Sequence, residues 1–483
     1  MAEPFRPSFR LRPHEHRLVL LISDLAASSL AAFLAIYVWK QYAIQSLVAK
    51  GIDIERAERI LRIQGVQTPF WFYLLPLAWL LLMVELYDAH TAVSWTKTLR
   101  GISLAAFLGI AVYALVFIFN QEPSSLPRIA VGAFIILASI FTLVLRLSYI
   151  RLYTTSGLQR RVLIVGAGNA GLTLARVYCE AKPPPFILIG FIDDDFMKID
   201  HMYSGYPVIG ASKDLLAIVD QYRVSDVVMA ITGDIQGSTF QTILDVQEHG
   251  VEVTRMPLVY EEITQRVPIQ HLESDWMIRS FVDQLKASVF YVFLKRLLDI
   301  IGGILGVIVF AVCSPFLALA TAIDSGLPIL YAQDRLGKGG QPFTIYKFRS
   351  MCQDAEPDGL PRQAEENDSR VTRVGSFLRA THLDELPQFW NVLRGDMSLV
   401  GPRAERGQLI AEYQKQIPFY RARLLVKPGL TGWAQINYGY VASVTETSIK
   451  LEYDLYYIKH RSLMLDITII LRTISTVLSR KGR

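Results

Sequence analysis

The stretch Lys295–Ile323, KRLLDIIGGILGVIVFAVCSPFLALATAI, decides how the chain is read. Lys295, Arg296 and Asp299 stand at its head, and no charge occurs from Ile300 to Ile323. A helix needs roughly 20 apolar residues to cross hydrocarbon, so the run is long enough to span. Yet it holds Gly302, Gly303 and Gly306, and Ser314-Pro315 falls in its middle. Proline removes a helix hydrogen bond and kinks the chain. Two readings compete: a full crossing, or a helix that enters, bends at Ser314-Pro315 and returns to the face it left. Re-entry is favoured, because it keeps the polar segments on either side of the run on one face of the membrane.

Upstream, four further apolar runs cover Leu18–Trp39, Phe70–Tyr87, Ile102–Asn120 and Ile129–Ile150. Each is close to spanning length. Buried soluble helices are the alternative, but four such runs in succession, in a chain of mean hydropathy +0.30, favour a transmembrane bundle. Arg6, Arg10, Arg12 and Arg17 precede the first run, and no small-residue cleavage site ends it, so an anchor is expected. That arm, Lys97 and Arg100, and Arg146, Arg151, Arg160 and Arg161 are assigned to the cytoplasmic side. The segment Lys40–Thr68 breaks the pattern with Lys50, Arg56, Arg59 and Arg62 among Asp53, Glu55 and Glu58, and reads as a charged external helix. Asp24 and Glu85 should face the bundle or the interface.

Between the two apolar regions lies a soluble pattern. Arg161–Val165 reads as a strand running into Gly166, Gly168 and Gly171, a G-x-G-x-x-G at a helix start. Ile187–Ile192 alternates and ends at Asp193, Asp194 and Asp195. This predicts a Rossmann-like α/β domain that binds a dinucleotide or nucleotide sugar, or a degenerate version used for oligomer contacts. Tyr178-x-x-x-Lys182 mimics a dehydrogenase pair. It lies in the first helix, expected to end at Pro183, so no redox or dehydratase activity is expected. Cys179, Cys313 and Cys352 have no CxxC spacing, which argues against zinc and disulfides. A net charge of +5 is too small to argue for nucleic acid but suits anionic headgroups.

Downstream, Tyr331–Arg403 is dense in charge of both signs. Its basic residues are Arg335, Lys338, Lys347, Arg349, Arg370, Arg373, Arg379 and Arg403. A solvated surface is one reading. Phosphate binding is the other, since Gly337, Gly339, Gly340, Gly375, Gly395 and Gly401 could let backbone N–H groups approach an oxyanion that arginines chelate. Asp384-Glu385 and Asp396 stand against this background. They serve as structural ion pairs, as a nucleophile on phosphorus, or as Mg²⁺ ligands. The end of the chain, Ser462–Arg483, reads as an interfacial amphipathic helix.

The motifs then carry a resemblance. They are Lys295-Arg296-x-x-Asp299, Gln333-x-Arg335-x-Gly337, Lys347-Phe348-Arg349-Ser350-Met351 and Thr372-Arg373-x-Gly375. Leu383-Asp384-Glu385-Leu386-Pro387-Gln388, Gly395–Arg403 and Lys427-Pro428-Gly429-x-Thr431-Gly432-Trp433-Ala434-Gln435 complete the set. Together, over Ala287–Arg483, they resemble the bacterial sugar transferases, the polyprenyl-phosphate hexose-1-phosphate transferases. The four-span front and the glycine-rich insert resemble the large members of that family. Two departures stand out: Ala404 where proline is commoner, and Ile436-Asn437-Tyr438-Gly439-Tyr440 where other branches carry Asn-Gly-Arg.

The resemblance implies an α/β membrane protein: a four-helix transmembrane bundle at 1–155, a Rossmann-like domain at 156–285, and a mixed α/β catalytic domain at 286–483 with a re-entrant helix at about 295–323. It implies an enzyme of the bacterial inner membrane whose catalytic face is cytoplasmic, with UDP-sugar and polyprenyl phosphate as substrates, Mg²⁺ as cofactor and a homo-oligomer as an option. Asp384 would attack the β-phosphorus and Glu385 would handle metal or proton. Lys295, Arg296, Arg335, Lys347, Arg349, Arg373, Arg379, Arg403 and Gln435 would bind substrate. A chain reduced to Ala287–Arg483 should then keep some transfer activity. Three rivals remain: a membrane dehydratase, lacking a downstream Tyr/Lys pair; a scaffold, which has no need of Asp384-Glu385; and a glycosyltransferase moving sugar without phosphate.

Overall fold

The computed structural model describes residues 13–64, 69–87, 92, 94–119, 128–153, 159–182, 184–233, 237–272, 288–352, 368–439 and 443–478. Arg6, Arg10, Arg12, Asn120, Pro183, Ala287 and Arg480 lie outside them. By internal contacts the chain forms two units. One is Met1–Leu163, Tyr178–Val227 and Gly237–Val253; the other is Ile164–Val177, Val228–Gln236 and Thr254–Arg483.

In the first unit, helix α1 runs Pro13–Ala49, ten residues past the end of its apolar run. Helix α2, Ile54–Gln64, is the charged helix expected after it. The run Phe70–Tyr87 departs from expectation. It is broken into a 3-10 turn Phe70–Leu74, the helix α3 Leu75–Leu82 and a second 3-10 turn Val84–Tyr87. Pro76, in the first turn of α3, has no N–H for the carbonyl four residues back, and the helix begins there. Helices α4, Trp95–Phe119, and α5, Arg128–Tyr153, come next. Stretches of α1, α4 and α5 are long and apolar enough to cross a membrane.

Asp24 and Arg146 are both fully buried and pair at 2.7 Å, with the Tyr87 ring 5.1 Å from the guanidinium. Charges in hydrocarbon persist when paired inside a bundle, as here. Arg146 therefore leaves the group of flanking cations to which its sequence position assigns it. Ala31, Ala35, Ala130 and Ala138 are fully buried and let the backbones approach closely.

The α/β segment holds one six-stranded sheet in the order β3-β4-β2-β1-β5-β6. The strands are β1 Arg161–Val165, β2 Ile187–Ile192, β3 Met202–Tyr203, β4 Tyr206–Gly210, β5 Asp226–Met229 and β6 Glu252–Arg255. β2 and β4 are parallel, and β3 and β4 antiparallel. After β1, Gly166 adopts φ +108°, and a side chain at Gly171 would stand 2.0 Å from the Gly166 carbonyl oxygen. Both glycines are required by this turn, whatever it binds. Helix α6, Asn169–Glu180, comes after it, then α7 Leu215–Tyr222 and α8 Gly237–Glu248. Tyr178 is core: its hydroxyl donates to the Phe186 carbonyl at 2.8 Å. Asp193 pairs with Lys198 at 3.1 Å, and Asp194 accepts from the Ser212 N–H and hydroxyl.

In the second unit, α9, Met256–Thr264, leads into a segment that completes the core of the last third. Val267 and Ile269 are buried with Trp433, Leu451 and Leu455. The Trp433 indole donates to the Gln265 carbonyl at 3.1 Å, and Glu261 accepts from Lys459 at 2.8 Å and meets His460 at 2.9 Å. A boundary at 286 removes these contacts. Each buried aliphatic side chain contributes about 1.5–3 kcal/mol. A chain beginning at Thr254 should therefore melt at least ~5 °C above one beginning at Ala287. Equal melting temperatures in the same detergent would contradict this.

Val289–Ser325 forms one helix, α10, through Ser314-Pro315. Pro315 cannot donate to the Ala311 carbonyl, but the Ser314 hydroxyl does, at 3.3 Å. The pair does not end the helix. The glycines serve packing: side chains at Gly302, Gly303 and Gly306 would stand 2.5, 2.7 and 2.1 Å from Leu399, Leu393 and Phe389. Both ends of α10 are fastened. Arg296 donates to the carbonyls of Val392 and Leu393, and Asp299 accepts from Ser398 Oγ and the Leu399 N–H. At the far end Asp324 accepts from the Val374 N–H at 2.9 Å.

Candidate active site

The site is built on a hairpin and two short helices. Strands β7, Leu330–Leu336, and β8, Pro342–Phe348, are antiparallel, with Tyr331 opposite Lys347. Gly339 and Gly340, at φ +71° and +78°, make their turn. Helix α11, Arg373–Thr381, is capped by the Thr372 hydroxyl, which accepts from the Gly375 N–H at 3.0 Å. A side chain at Gly375 would stand 2.1 Å from the Ser350 carbonyl oxygen, so close backbone contact accounts for this glycine.

His382, at φ 55°, ends α11 in the left-handed region, where histidine is enriched among non-glycine residues. That turn starts a 3-10 helix, Leu383–Gln388, which carries Asp384 and Glu385 inward. Helix α12, Phe389–Arg394, continues from it and ends at Gly395, φ +96°. Asn391, almost fully buried, ties it to β8 by donating to the Thr344 carbonyl at 2.8 Å. Strand β9, Ser398–Val400, then runs parallel to β10, Gly429–Thr431, and delivers Gly401, Pro402 and Arg403.

Lys347 and Arg403 converge on Glu385 Oε1, each at 2.6 Å. Burial works against the Glu385 charge, but Arg403 and Lys347 outweigh it and hold the carboxyl well below its usual range. Asp384 is 7% exposed. Burial pushes its carboxyl up; Lys347 and Arg403 pull it down, and the neighbouring Glu385 charge raises it again. Two adjacent carboxyls thus have opposite environments: one locked as an anion between two cations, the other dehydrated and held less tightly. Such divergence marks sites of chemistry.

The other sequence candidates divide. Arg349, just past β8, has a buried Nη1 with no protein partner, and Arg335 has a buried Nε of the same kind. Unsatisfied buried donors call for a ligand or water. Arg335 also donates to the Ala404 carbonyl at 3.3 Å, and burial holds its pKa down at about 10. Lys295 spends its N–H groups on the Val400 carbonyl, the Tyr457 hydroxyl and Asp466. With Arg296 it anchors the foot of α10. Arg370 pairs with Asp368, and Arg394 with Asp396. Arg373 is exposed and Arg379 half-buried on α11. Gln435 donates to the Leu430 carbonyl at 3.3 Å. Gly401 faces backbone, 2.4 Å from the Lys427 carbonyl oxygen to an added Cβ.

Sequence reading missed the layer behind Arg403. Arg423, Glu405, Lys450 and Asp454 form a buried ion network there. No spacing signals it, because its members are brought together only by the fold. α13, Gly407–Gln416, α14, Trp433–Asn437, α15, Val444–Lys459, and α16, Leu463–Leu478, complete the unit. The last is amphipathic as expected, and its Asp466 turns inward to the hydroxyls of Tyr291 and Tyr457.

A bacterial sugar transferase model matches residues 290–480, and a CoA-binding domain model matches 83–256. The chain is 42% identical over 232 residues to the UDP-N-acetylgalactosamine-undecaprenyl-phosphate N-acetylgalactosaminephosphotransferase of Aeromonas hydrophila, covering 48% of this chain and 53% of that protein. It is 30% identical over 325 residues to the UDP-glucose:undecaprenyl-phosphate glucose-1-phosphate transferase of Xanthomonas campestris pv. campestris, covering 67% of each. The protein of the same description from Escherichia coli is 44% identical over 186 residues, 38% of this chain and 39% of that one. The chain thus spans about half the length of the Aeromonas relative. The matched region contains every residue of the Asp384 site, and the chain belongs to the bacterial sugar transferase family.

Proposed function

We propose that this chain transfers a sugar-1-phosphate from a UDP-sugar to polyprenyl phosphate through a covalent intermediate on Asp384, as a first step of polysaccharide synthesis. The observation that carries the reading is the Asp384-Glu385 pair. One carboxyl is buried with its pKa raised, beside another pinned by Lys347 and Arg403. Asp384 Oδ attacks the β-phosphorus. The bond from that phosphorus to the bridging oxygen breaks, and UMP leaves. Polyprenyl phosphate then takes the phosphosugar from Asp384. Lys347 and Arg403 keep positive charge beside the transferring group, and the buried donors of Arg335 and Arg349 suit its oxygens.

For Mg²⁺ the donor set fits. Asp384 and Glu385 are adjacent carboxylates, and among the described residues no group of three or more His, Cys, Asp or Glu forms an all-protein cage. Mg²⁺ commonly takes one or two carboxylates plus substrate phosphates. Asp384 and Glu385 would hold it, and it would supply positive charge to the diphosphate.

Re-entry of α10 belongs to the same reading. A straight helix of 37 residues is about 55 Å long. Arg296 and Asp299 near its start and Asp324 near its end all bond to the same unit, which favours a helix that returns to the face it left. That keeps Asp384 on the cytoplasmic face of the inner membrane, where UDP-sugars are made. An even number of passes in the front helices would place the α/β segment there too. The glycine turn at Gly166, Gly168 and Gly171 then serves nucleotide binding or assembly, not the chemistry.

The reaction separates this reading from glycosyl transfer by its products. With a donor labelled with ³²P at the β-phosphate, the label should enter the lipid while unlabelled UMP appears in solution, and chelating Mg²⁺ should stop both. Labelled UDP with unlabelled lipid would refute the scheme.

A further inference from the structure

We propose that Arg423 is a positioning residue for this reaction, holding Arg403 in place from behind; the inference rests on the proposed phosphosugar transfer. Arg423 lies in the 3-10 turn Tyr420–Leu425 and is 4% exposed. Its Nη2 donates to the Arg403 carbonyl at 3.1 Å and to Asp454 Oδ2 at 2.9 Å. Its Nη1 donates to the Tyr420 hydroxyl at 2.9 Å and meets Glu405 Oε1 at 3.2 Å. Lys450 reaches the same Glu405 oxygen at 3.0 Å.

The network is closed in charge: two cations, Arg423 and Lys450, against two carboxylates, Glu405 and Asp454. Buried ion pairs of this kind seldom stabilise a fold more than apolar residues of the same volume would. What the guanidinium fork adds is direction. One arm holds the backbone of Arg403 and the other the side chain of Glu405, two residues on. Arg335 fixes the carbonyl between them, that of Ala404, and the Leu336 N–H bonds the Glu405 carbonyl at 3.1 Å. Three consecutive residues are thereby held on a loop whose working side chain is itself 40% exposed. A half-exposed arginine has rotamer freedom that costs rate when a reaction needs one geometry. With its backbone immobile, Arg403 has only its own side-chain torsions left to place its tip 2.6 Å from Glu385. Lysine at 423 keeps the charge but has no second arm, so it cannot hold both Arg403 and Glu405.

The test is a double-mutant cycle in the full-length chain, read by UMP release. Arg423→Lys should lower kcat about 10–100-fold with KM for the UDP-sugar within about 3-fold, in a protein that still melts cooperatively. In an Arg403→Ala background the same change should cost less than about 2-fold, because there is no side chain left to position. Asp454→Asn, which removes the charge opposite Nη2, should show the same pattern at smaller size and serves if Arg423→Lys does not fold. Equal losses with and without the Arg403 side chain, or wild-type kcat in Arg423→Lys, would overturn the positioning role and leave the proposed transfer standing. A wild-type chain that releases no UMP from any UDP-sugar would overturn both.

Discussion

Asp384→Asn should reduce turnover by roughly four orders of magnitude or more while the protein inserts and folds. Asparagine matches aspartate in size, so the 3-10 helix that carries it keeps its packing. Glu385, by contrast, neutralises two cations at 2.6 Å, so Glu385→Gln should cost stability as well as rate. The nucleophile must be ionised. Burial raises the Asp384 pKa above its ordinary value, so kcat/KM should fall as pH drops through a value above the usual aspartate range. Lys347 lowers that pKa, and Lys347→Met should move the acid limb to still higher pH. Trapping with labelled UDP-sugar and acid quench reads the covalent step: label on the wild-type chain and none on Asp384→Asn. Near-normal turnover by that variant would remove Asp384 from the mechanism.

Gly401→Ala should unfold the catalytic unit or destabilise it by more than ~3 kcal/mol. An added Cβ would stand 2.4 Å from the Lys427 carbonyl oxygen and 2.9 Å from the Gly429 nitrogen, both backbone atoms that cannot swing aside. From the other side, a Cβ on Gly429 would stand 2.0 Å from the Gly401 nitrogen. The two glycines let the chain just after β9 meet the start of β10 backbone to backbone, and Arg403 comes two residues later. Gly439→Ala is the control, since an added Cβ there meets nothing within 4 Å. Thermal melts in detergent decide: a Gly401→Ala protein as stable as Gly439→Ala would show that the strands can part at little cost.

The sequence by itself determined the kind of molecule. Apolar runs of spanning length with few charges mean membrane, because a charge in hydrocarbon is too costly unless it is paired. A strand ending in G-x-G-x-x-G means a tight strand-to-helix turn, and Gly166 and Gly171 occupy it as that spacing requires. The Asp384-Glu385 motif and the basic residues around it were legible as a group, since their identities carry chemistry wherever they fold.

Tertiary structure alone decided what each of them touches. Nothing in spacing distinguishes Lys347 and Arg403, which meet on Glu385, from Lys295 and Arg296, which fasten α10 to the carbonyls of Val400 in β9 and of Val392 and Leu393 in α12. The glycines of α10 read as weak points in a helix, yet they are seats for Leu399, Leu393 and Phe389. Arg146 reads as a flanking cation, yet it is the buried partner of Asp24, 122 residues away. The Arg423 network joins residues 405, 423, 450 and 454, and Val267 enters the core beside Leu451. The reason is physical. Local sequence fixes period, turn and net charge, which act over a few residues. The partner of a buried charge is set by which side chains the closed fold brings within about 3 Å, and that distance has no counterpart along the chain.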